Sequence, residues 1–329
     1  MQRHIYIINL KNYDFLTASI VEGLQQLKRP FTAMHSSNYA QGKWYDPAWR
    51  RIKDTDIILD CNGSKRTRRF LSKLGHPNVF RVDGSDHMVA AMEDRALYRG
   101  LFKREYALAL GPREAEGVWP MPFAAETRYF RDKLPEKDYF LSCMLDKKNK
   151  PLRSVVEAEL MAMAKDNWFV GPTGERAGKM NRANSLPTPK YNDILARSCV
   201  SVSVMGAGYD CARFWEIPAT RTLLLSQRLP IRLPHPFVDG ETAVFFDTVD
   251  ELRARVSELE SGKLDWQAIA QAGYDHLCAY HTSAARAGQL LEVVEDAIAR
   301  HTRADWDSIA RERWGMSLMG QTWSGGAGA

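Results

Sequence analysis

The sequence predicts an α/β fold of two Rossmann-like, doubly wound domains. Three observations lead there. Apolar runs of strand length alternate with amphipathic stretches of helix length, the pattern of parallel sheets covered by helices. The alternation starts twice, at residue 4 and again near residue 138. The chain of 329 residues also exceeds the roughly 100 to 200 residues usual for one domain.

In the first half, HIYIINL (4–10) reads as a buried strand and LTASIVEGLQQL (16–27) as its helix; DIILDC (56–61) precedes KRTRRFLSKLG (65–75). NVFRVD (78–83) then leads toward a helix around MVAAMEDRALY (88–98). The segment VWPMPFAAETRYF (118–130) is expected to be an extended crossover, because Pro120 and Pro122 oppose a helix. The second set runs through strands YFLSCML (139–145), WFVG (168–171), CVSVSVM (199–205), TLLLS (222–226) and AVFF (243–246). Between them lie helical patterns at 153–166, 191–197, a helix opening at Arg213 and Glu216, and 248–260.

Beyond residue 263, DWQAIAQAGYDHLCAYH and SAARAGQLLEVVEDAIARHT repeat apolar residues at three and four spacing. Asp250, Thr282 or Ser283 and Asp305 suit helix starts. The expected organisation is a first Rossmann-like domain over 1–130, a second over 131–290, and a helical segment with a flexible tail over 291–329. The two domains are expected to face each other across a cleft, with C-terminal helices returning to the first.

A composition of 45% hydrophobic and 26% charged residues excludes wholesale disorder. The first apolar run breaks at Lys11, too early for a signal peptide core or a membrane span. Five widely spaced cysteines without a CxxC pair disfavour a disulfide framework and a cysteine zinc site, so a reducing cytoplasm is expected. Residues 1–140 hold 23 Lys and Arg against 17 Asp and Glu, while the rest hold 22 against 23. The basic half suits an anionic partner: a phosphorylated lipid carrier, an acidic glycan, nucleic acid or a membrane surface. A solvated basic surface is the plainer alternative.

Several residues carry chemistry at expected strand ends. Arg153 falls near a helix start at the carboxyl end of a strand, where doubly wound folds bind ligands and helix N-termini favour anions. Lys147, Lys148 and Lys150 share that loop, which could equally be solvated. Lys190 and Tyr191 open the next helix after the polar loop RAGKMN (176–181). Asp83, Asp86 and His87, in the turn VDGSDH, could supply an acceptor-activating base, or simply make the turn. Asp60, Asn62, Gly63 and Ser64 form a second such turn. The following KRTRR either steers an anionic acceptor or coats a helix. Tyr13 and His35 also follow expected strand ends and read as structural. No HExxH, DxD sugar-metal motif, P-loop, GxSxG or strand-linked GxGxxG is visible; DTD at 54–56 precedes a strand and reads as a loop or cap.

Read in order, RVDGSDH (81–87), FKRE (102–105), MPF (121–123), YNDILARSCVSVSV (191–204), RFWEIPA (213–219), PFVDGETAVFF (236–246) and HTSAARA (281–287) resemble GT-B glycosyltransferases of the CgeB-like, group 1 type. The resemblance covers most of residues 80–290. It implies that Glu216, in an Arg-aromatic-aromatic-Glu motif, binds the donor ribose, since a carboxylate accepts two hydrogen bonds from vicinal hydroxyls. First-turn charge on a helix dipole is the other reading of Glu216. Related enzymes often carry a second Glu eight residues earlier, facing the donor sugar; here that slot is Gly208. Asp210 could substitute, or the Gly206 and Gly208 amides could approach sugar or phosphate, unless the glycines merely serve a turn needing positive φ. Arg213 would offset leaving-group charge.

The resemblance thus implies a hexosyltransferase-like enzyme with a nucleotide-diphosphate sugar as donor, no cofactor and no metal, acting in the cytoplasm or at the membrane periphery. Two alternatives stay open: a non-catalytic nucleotide-sugar binding protein, and a glycosyltransferase acting on modified nucleic acid.

Overall fold

A computed structural model describes residues 2–8, 14–34, 51–88, 94–109, 117–146, 150–172, 188–300 and 311–312. In chain order its elements are β1 (Ile5–Ile8), α1 (Phe15–Gln26), β2 (Phe31–Met34), β3 (Ile57–Asp60), α2 (Lys65–Leu74), β4 (Val79–Asp83), β5 (Gly100–Lys103), β6 (Val118–Pro120), β7 (Tyr139–Met144), α3 (Pro151–Met163), β8 (Trp168–Gly171), α4 (Thr188–Ala196), β9 (Ser198–Ser203), α5 (Ala212–Ala219), β10 (Leu223–Gln227), β11 (Val244–Phe246), α6 (Val249–Glu260), α7 (Trp266–Tyr280) and α8 (Ser283–Ala299). They divide into two compact units. One is built from described residues within Met1–Phe123, Pro230–His235 and Ser283–Thr322, the other from those within Ala124–Leu229 and Pro236–Thr282.

The first unit holds a parallel sheet in the order β2-β1-β3-β4-β5-β6. Successive side chains of a strand point to opposite faces. Ile5 and Ile7 accordingly pack with Leu16, Ile20 and Leu24 of α1 and with Leu290, Val293, Val294 and Ala297 of α8. Tyr6 and Ile8 pack with Leu71 of α2 and Tyr98 on the other face. Gly23 allows α1 and α8 to meet: a Cβ there would lie 2.0 Å from the Ser283 carbonyl oxygen and 2.6 Å from the Ala287 Cβ. Helix α8 therefore completes the core of the first sheet.

The second unit holds a parallel sheet in the order β11-β10-β9-β7-β8. Its strands are buried apolar runs, as parallel strands covered on both faces must be; Leu141, Cys143, Val200, Val202, Leu223, Leu225 and Val244 pack with Val156 and Leu160 of α3, Leu252 and Val256 of α6, and Ile269 of α7. The Asp14, Ser64, Thr248 and Asp265 side chains accept from backbone amides at the starts of α1, α2, α6 and α7.

Four sequence expectations change. Residues 118–120 are strand β6 rather than a crossover; with β5 as its one neighbour in the sheet, this edge strand can contain Pro120, whose missing N–H faces no second partner. The described part of the expected helix at 88–98 is a single 3-10 turn, Arg95–Leu97. Helix α6 is capped by Thr248, with Asp250 inside its first turn. Glu216 does not open its helix: it is the fifth residue of α5, whose first turn holds no acid, so the dipole account of Glu216 fails. Asp305, Tyr13, His35, Lys147, Lys148 and RAGKMN lie outside the described residues.

Candidate functional site

In the second sheet β8 lies on one side of β7 and β9 on the other. This reversal of strand order opens a crevice at the carboxyl ends of β7 and β9, the ligand position of open α/β sheets. Arg153, the third residue of α3 and 2% exposed, spans that crevice. Its Nε donates to the Met205 carbonyl at 2.7 Å and its Nη2 to the Val204 carbonyl at 2.9 Å, both just after β9. Its Nη1 donates to the Asp146 carbonyl at 3.2 Å, just after β7. The guanidinium thus fixes both rims of the crevice.

The next residue, Gly206, presses against this brace. A Cβ there would lie 2.9 Å from Cys211 Sγ, 3.1 Å from Arg153 Nη2 and 3.5 Å from Lys150 Nζ. Neither Gly206 nor Gly208 has positive φ, which removes the strained-turn reading: Gly206 serves close approach. Its amide donates to the Gly208 carbonyl at 2.8 Å, closing a tight turn. Asp210, 1% exposed, accepts from Trp215 Nε1 at 2.7 Å, which anchors the turn to α5.

Helix α5 is buried from Arg213 to Ala219, as a helix apolar on most sides must be. Phe214 and Trp215 pack edge-on at 5.0 Å, and both meet Phe237, at 5.6 and 6.2 Å. This aromatic bed orients the remaining face, which carries Arg213 and Glu216.

Glu216 is 7% exposed. Tyr191 OH donates to its Oε2 at 2.7 Å, and the Tyr129 hydroxyl also bonds to the carboxylate. Burial first, then the Glu216 charge, pushes both phenols above their ordinary range, so they remain donors. The Arg213 guanidinium lies 5.9 Å from the Tyr191 ring centroid. Burial opposes its charge, but Tyr191 and Glu216 more than compensate and raise its pKa. A carboxylate has about four lone-pair sites. Two phenols therefore aim it while leaving acceptor capacity for vicinal hydroxyls.

The structure brings Glu216, Arg213 and Tyr191 into one cluster, and Gly206, Arg153 and Lys150 into another. Lys190 is exposed at the start of α4, while its neighbour Tyr191 turns inward. Tyr129, at the end of a short 3-10 turn, escaped sequence reasoning; ETRYF carries no periodic or motif signal.

At the carboxyl edge of the first sheet, Asp83 lies 3.0 Å from Lys103 Nζ and accepts from the Ser85 amide at 3.0 Å. Burial raises its pKa, but Lys103 and the Ser85 amide outweigh that and hold it below the ordinary value. A carboxylate held ionised in this way is a weak proton acceptor near neutrality. Asp86 pairs with Arg104, whose guanidinium also meets Glu105 at 2.9 Å and the Gly84 carbonyl at 3.0 Å. His87 is exposed. Lys103, Arg104 and Glu105 are buried; their part in holding this turn was not read from FKRE. Asp60 accepts from the Asn62 and Gly63 amides and, at 2.7 Å, from Tyr98 OH, so the preceding turn is organised by one buried carboxylate.

Among the described residues, no group of three His, Cys, Asp or Glu could hold a metal ion, and no helix is long and apolar enough to cross a membrane.

The family described as glycosyl transferase-like matches residues 155–292, which include Glu216, Arg213, Tyr191 and the Gly206 turn. Among curated proteins none matches. A glycosyltransferase from Rickettsia africae is similar in structure with a TM-score of 0.63, at 9% identity over 90% of this chain and 99% of its own. Sucrose-phosphate synthase from Thermosynechococcus elongatus gives 0.61 at 10% identity, over 91% and 100% of the two chains. Anabaena HepE in complex with UDP and glucose gives 0.59 at 8% identity, over 90% and 100%. The fold is that of the GT-B glycosyltransferases, with two Rossmann-like domains, and the resemblance read from sequence is borne out at the level of the group 1 type.

Proposed function

We propose, from the premise that residues 155–292 form a glycosyl transferase-like module on a GT-B fold, that this protein transfers a sugar from a nucleotide-diphosphate sugar to an acceptor hydroxyl. The observation that carries the reading is the Glu216 carboxylate, aimed by Tyr191 and Tyr129 beside Arg213. A buried carboxylate held by two neutral donors is fixed in direction with acceptor capacity to spare, which is what recognition of a ribose hydroxyl pair requires. The complex of HepE with UDP and glucose supports a uridine nucleotide as the donor class.

In this reading the second unit binds the donor and the first selects the acceptor. Glu216 accepts from the ribose hydroxyls. Arg213, the Arg153 brace and the Gly208 amide face the diphosphate, where cations and an amide dipole stabilise charge developing on the leaving group without a metal. Lys190, exposed next to Tyr191, reaches toward the base. Asp83, Asp86 and His87 border the acceptor, where a side chain of this turn activates its hydroxyl. A CgeB-like hexosyltransferase in the cytoplasm or at the membrane periphery fits these assignments.

One observation favours a second reading, a nucleotide-sugar binder without turnover. Gly208 stands where related enzymes carry a carboxylate toward the donor sugar, and Asp210 is engaged with Trp215. Release of UDP that requires both UDP-sugar and acceptor marks the transferase; saturable binding without release marks the binder.

Glu216→Ala is expected to weaken UDP-sugar binding at least tenfold, read as a lost thermal shift, since a ligand stabilises by mass action. Undiminished affinity in that variant sinks the assignment.

A further inference from the structure

The basic run KRTRR at 65–69 is not used by this reading. Helix α2 and the turn at 94–97 border an open groove of about 870 Å³ lined by Lys65, Arg68, Arg69, Ser72, Lys73, Asp94 and Leu97. Its four cations face one acid. Arg68 is already fixed, to Asp94 at 2.9 Å and to the Gly63 carbonyl at 2.7 Å. Lys65, Arg69 and Lys73 have no ion-pair partner among the described residues, and they repeat every fourth position, so they form a single stripe along the groove.

At its start this arrangement opposes the helix that carries it, although Lys73, in the last turn, suits the dipole. Lys65 and Arg66 stand in the first turn, where the macrodipole is already positive, and that turn has no acid. Like charges four apart, Lys65 with Arg69 and Arg69 with Lys73, repel further. A local conflict of this kind without local compensation is expected at a functional site.

The form of the groove narrows the ligand. A membrane-binding helix needs exposed apolar side chains beside its cations, whereas the exposed large hydrophobics of the described residues are Leu27, Val155, Met161, Val238 and Tyr280, none of them on α2 or at 94–97. Phe70 and Leu74 pack against the core, and Leu97, the one apolar side chain of the lining, is itself partly buried there. Single-stranded nucleic acid needs aromatic platforms for its bases, and the groove lining has none. What remains is a discrete ligand bearing several phosphoryl charges, recognised through charge-assisted hydrogen bonds from guanidinium, ammonium and the Ser72 hydroxyl.

We infer that the α2 groove is a binding site for the phosphoryl groups of an acidic acceptor. The acceptor role rests on the glycosyltransferase reading, but the site does not. The test is calorimetric titration of the full chain with sodium tripolyphosphate, on the wild type and on the triple variant Lys65→Ala, Arg69→Ala, Lys73→Ala, alongside a UDP-glucose thermal shift on both.

The expected result is saturable tripolyphosphate binding that weakens as salt rises from 50 to 200 mM, as screening of exposed charges requires, and a loss of at least tenfold in the variant. The variant should keep the UDP-glucose shift, which shows that it is folded. Equal tripolyphosphate affinity in both proteins, or none in the wild type, overturns the site. Binding to phosphatidylglycerol vesicles that needs the three cations, without tripolyphosphate binding, overturns it in favour of a lipid surface. Tripolyphosphate binding in a wild type that gives no UDP-glucose shift supports the groove and overturns only the donor reading.

Discussion

The two sheets place charge at the same end and secure it by different means. At the carboxyl edge of the second sheet, Arg153 grips three backbone carbonyls and Glu216 is held by two phenols. At that edge of the first sheet, Asp83 pairs with Lys103, and Asp86 and Glu105 pair with Arg104. Neutral dipoles orient a charge without cancelling it, so it can still act on a ligand. An ion pair cancels charge and stores its value in the fold, where breaking one member is more damaging than never having had the pair. Substitutions at the first edge should therefore appear as stability, and those at the second as ligand affinity.

The sharpest break of this contrast is Lys103→Ala, which leaves Asp83 partly buried beside an emptied amine site. A loss of about 3–5 kcal/mol is expected in denaturant unfolding. A loss within error would show that the pair carries no fold stability.

Arg153→Lys comes next. A lysine cannot span the carbonyls of 146, 204 and 205 together, and each lost hydrogen bond to a charged group is worth about 1.5–3 kcal/mol. The crevice rims should loosen, so UDP-sugar binding should fall more steeply than the melting temperature; an isothermal titration read against Tm decides.

Lys137 offers a control at the amino end of the second sheet, opposite its ligand edge, where its Nζ donates to Thr222 Oγ1 at 3.0 Å. Burial pushes its pKa down to about 8. Protonation is then less favourable in the folded chain than in the unfolded one, whose lysines titrate near 10.4. The folded state is penalised in full below pH 8, and the penalty disappears as pH rises to about 10.4. Lys137→Met is expected to stabilise the protein at pH 7 by about 2 kcal/mol, allowing for partial solvent screening, and to abolish the rise in stability between pH 8 and 10. Parallel pH profiles for variant and wild type would refute this.

The smallest effect is expected from Tyr191→Phe, which removes one donor from Glu216 at a cost of about 1 kcal/mol in donor affinity. If Glu216 aims at the donor, KM for the UDP-sugar rises about fivefold while kcat holds; a purely structural tyrosine would lower Tm and leave KM unchanged.

The sequence conveyed most where periodicity was long. Strands β7 and β9 and helices α6, α7 and α8 lie where their apolar patterns predicted them. Strands β5 and β6 were missed because GLFK and VWP are four and three residues long and end in Lys103 and Pro120, residues that signal loops until a neighbouring strand pairs with them. The site divides the same way. Glu216 and Arg213 were visible through an ordered motif, whereas Tyr129 reaches the carboxylate from a distant stretch of chain, and no local pattern records a tertiary hydrogen bond. Arg153 was found, but as an anion ligand; its three carbonyl contacts follow from where β7 and β9 end, which only the folded sheet specifies.

The close packing of α1 on α8 across Gly23 also bears on biosynthesis. Residues 283–299 leave the ribosome after every described segment of the second unit has emerged. Until then the first sheet lacks the side chains of Leu290, Val293, Val294 and Ile298, which close its hydrophobic core. The unit translated earlier is thus completed later, and a nascent chain stalled near residue 282 would leave bare the apolar sheet face that α8 covers.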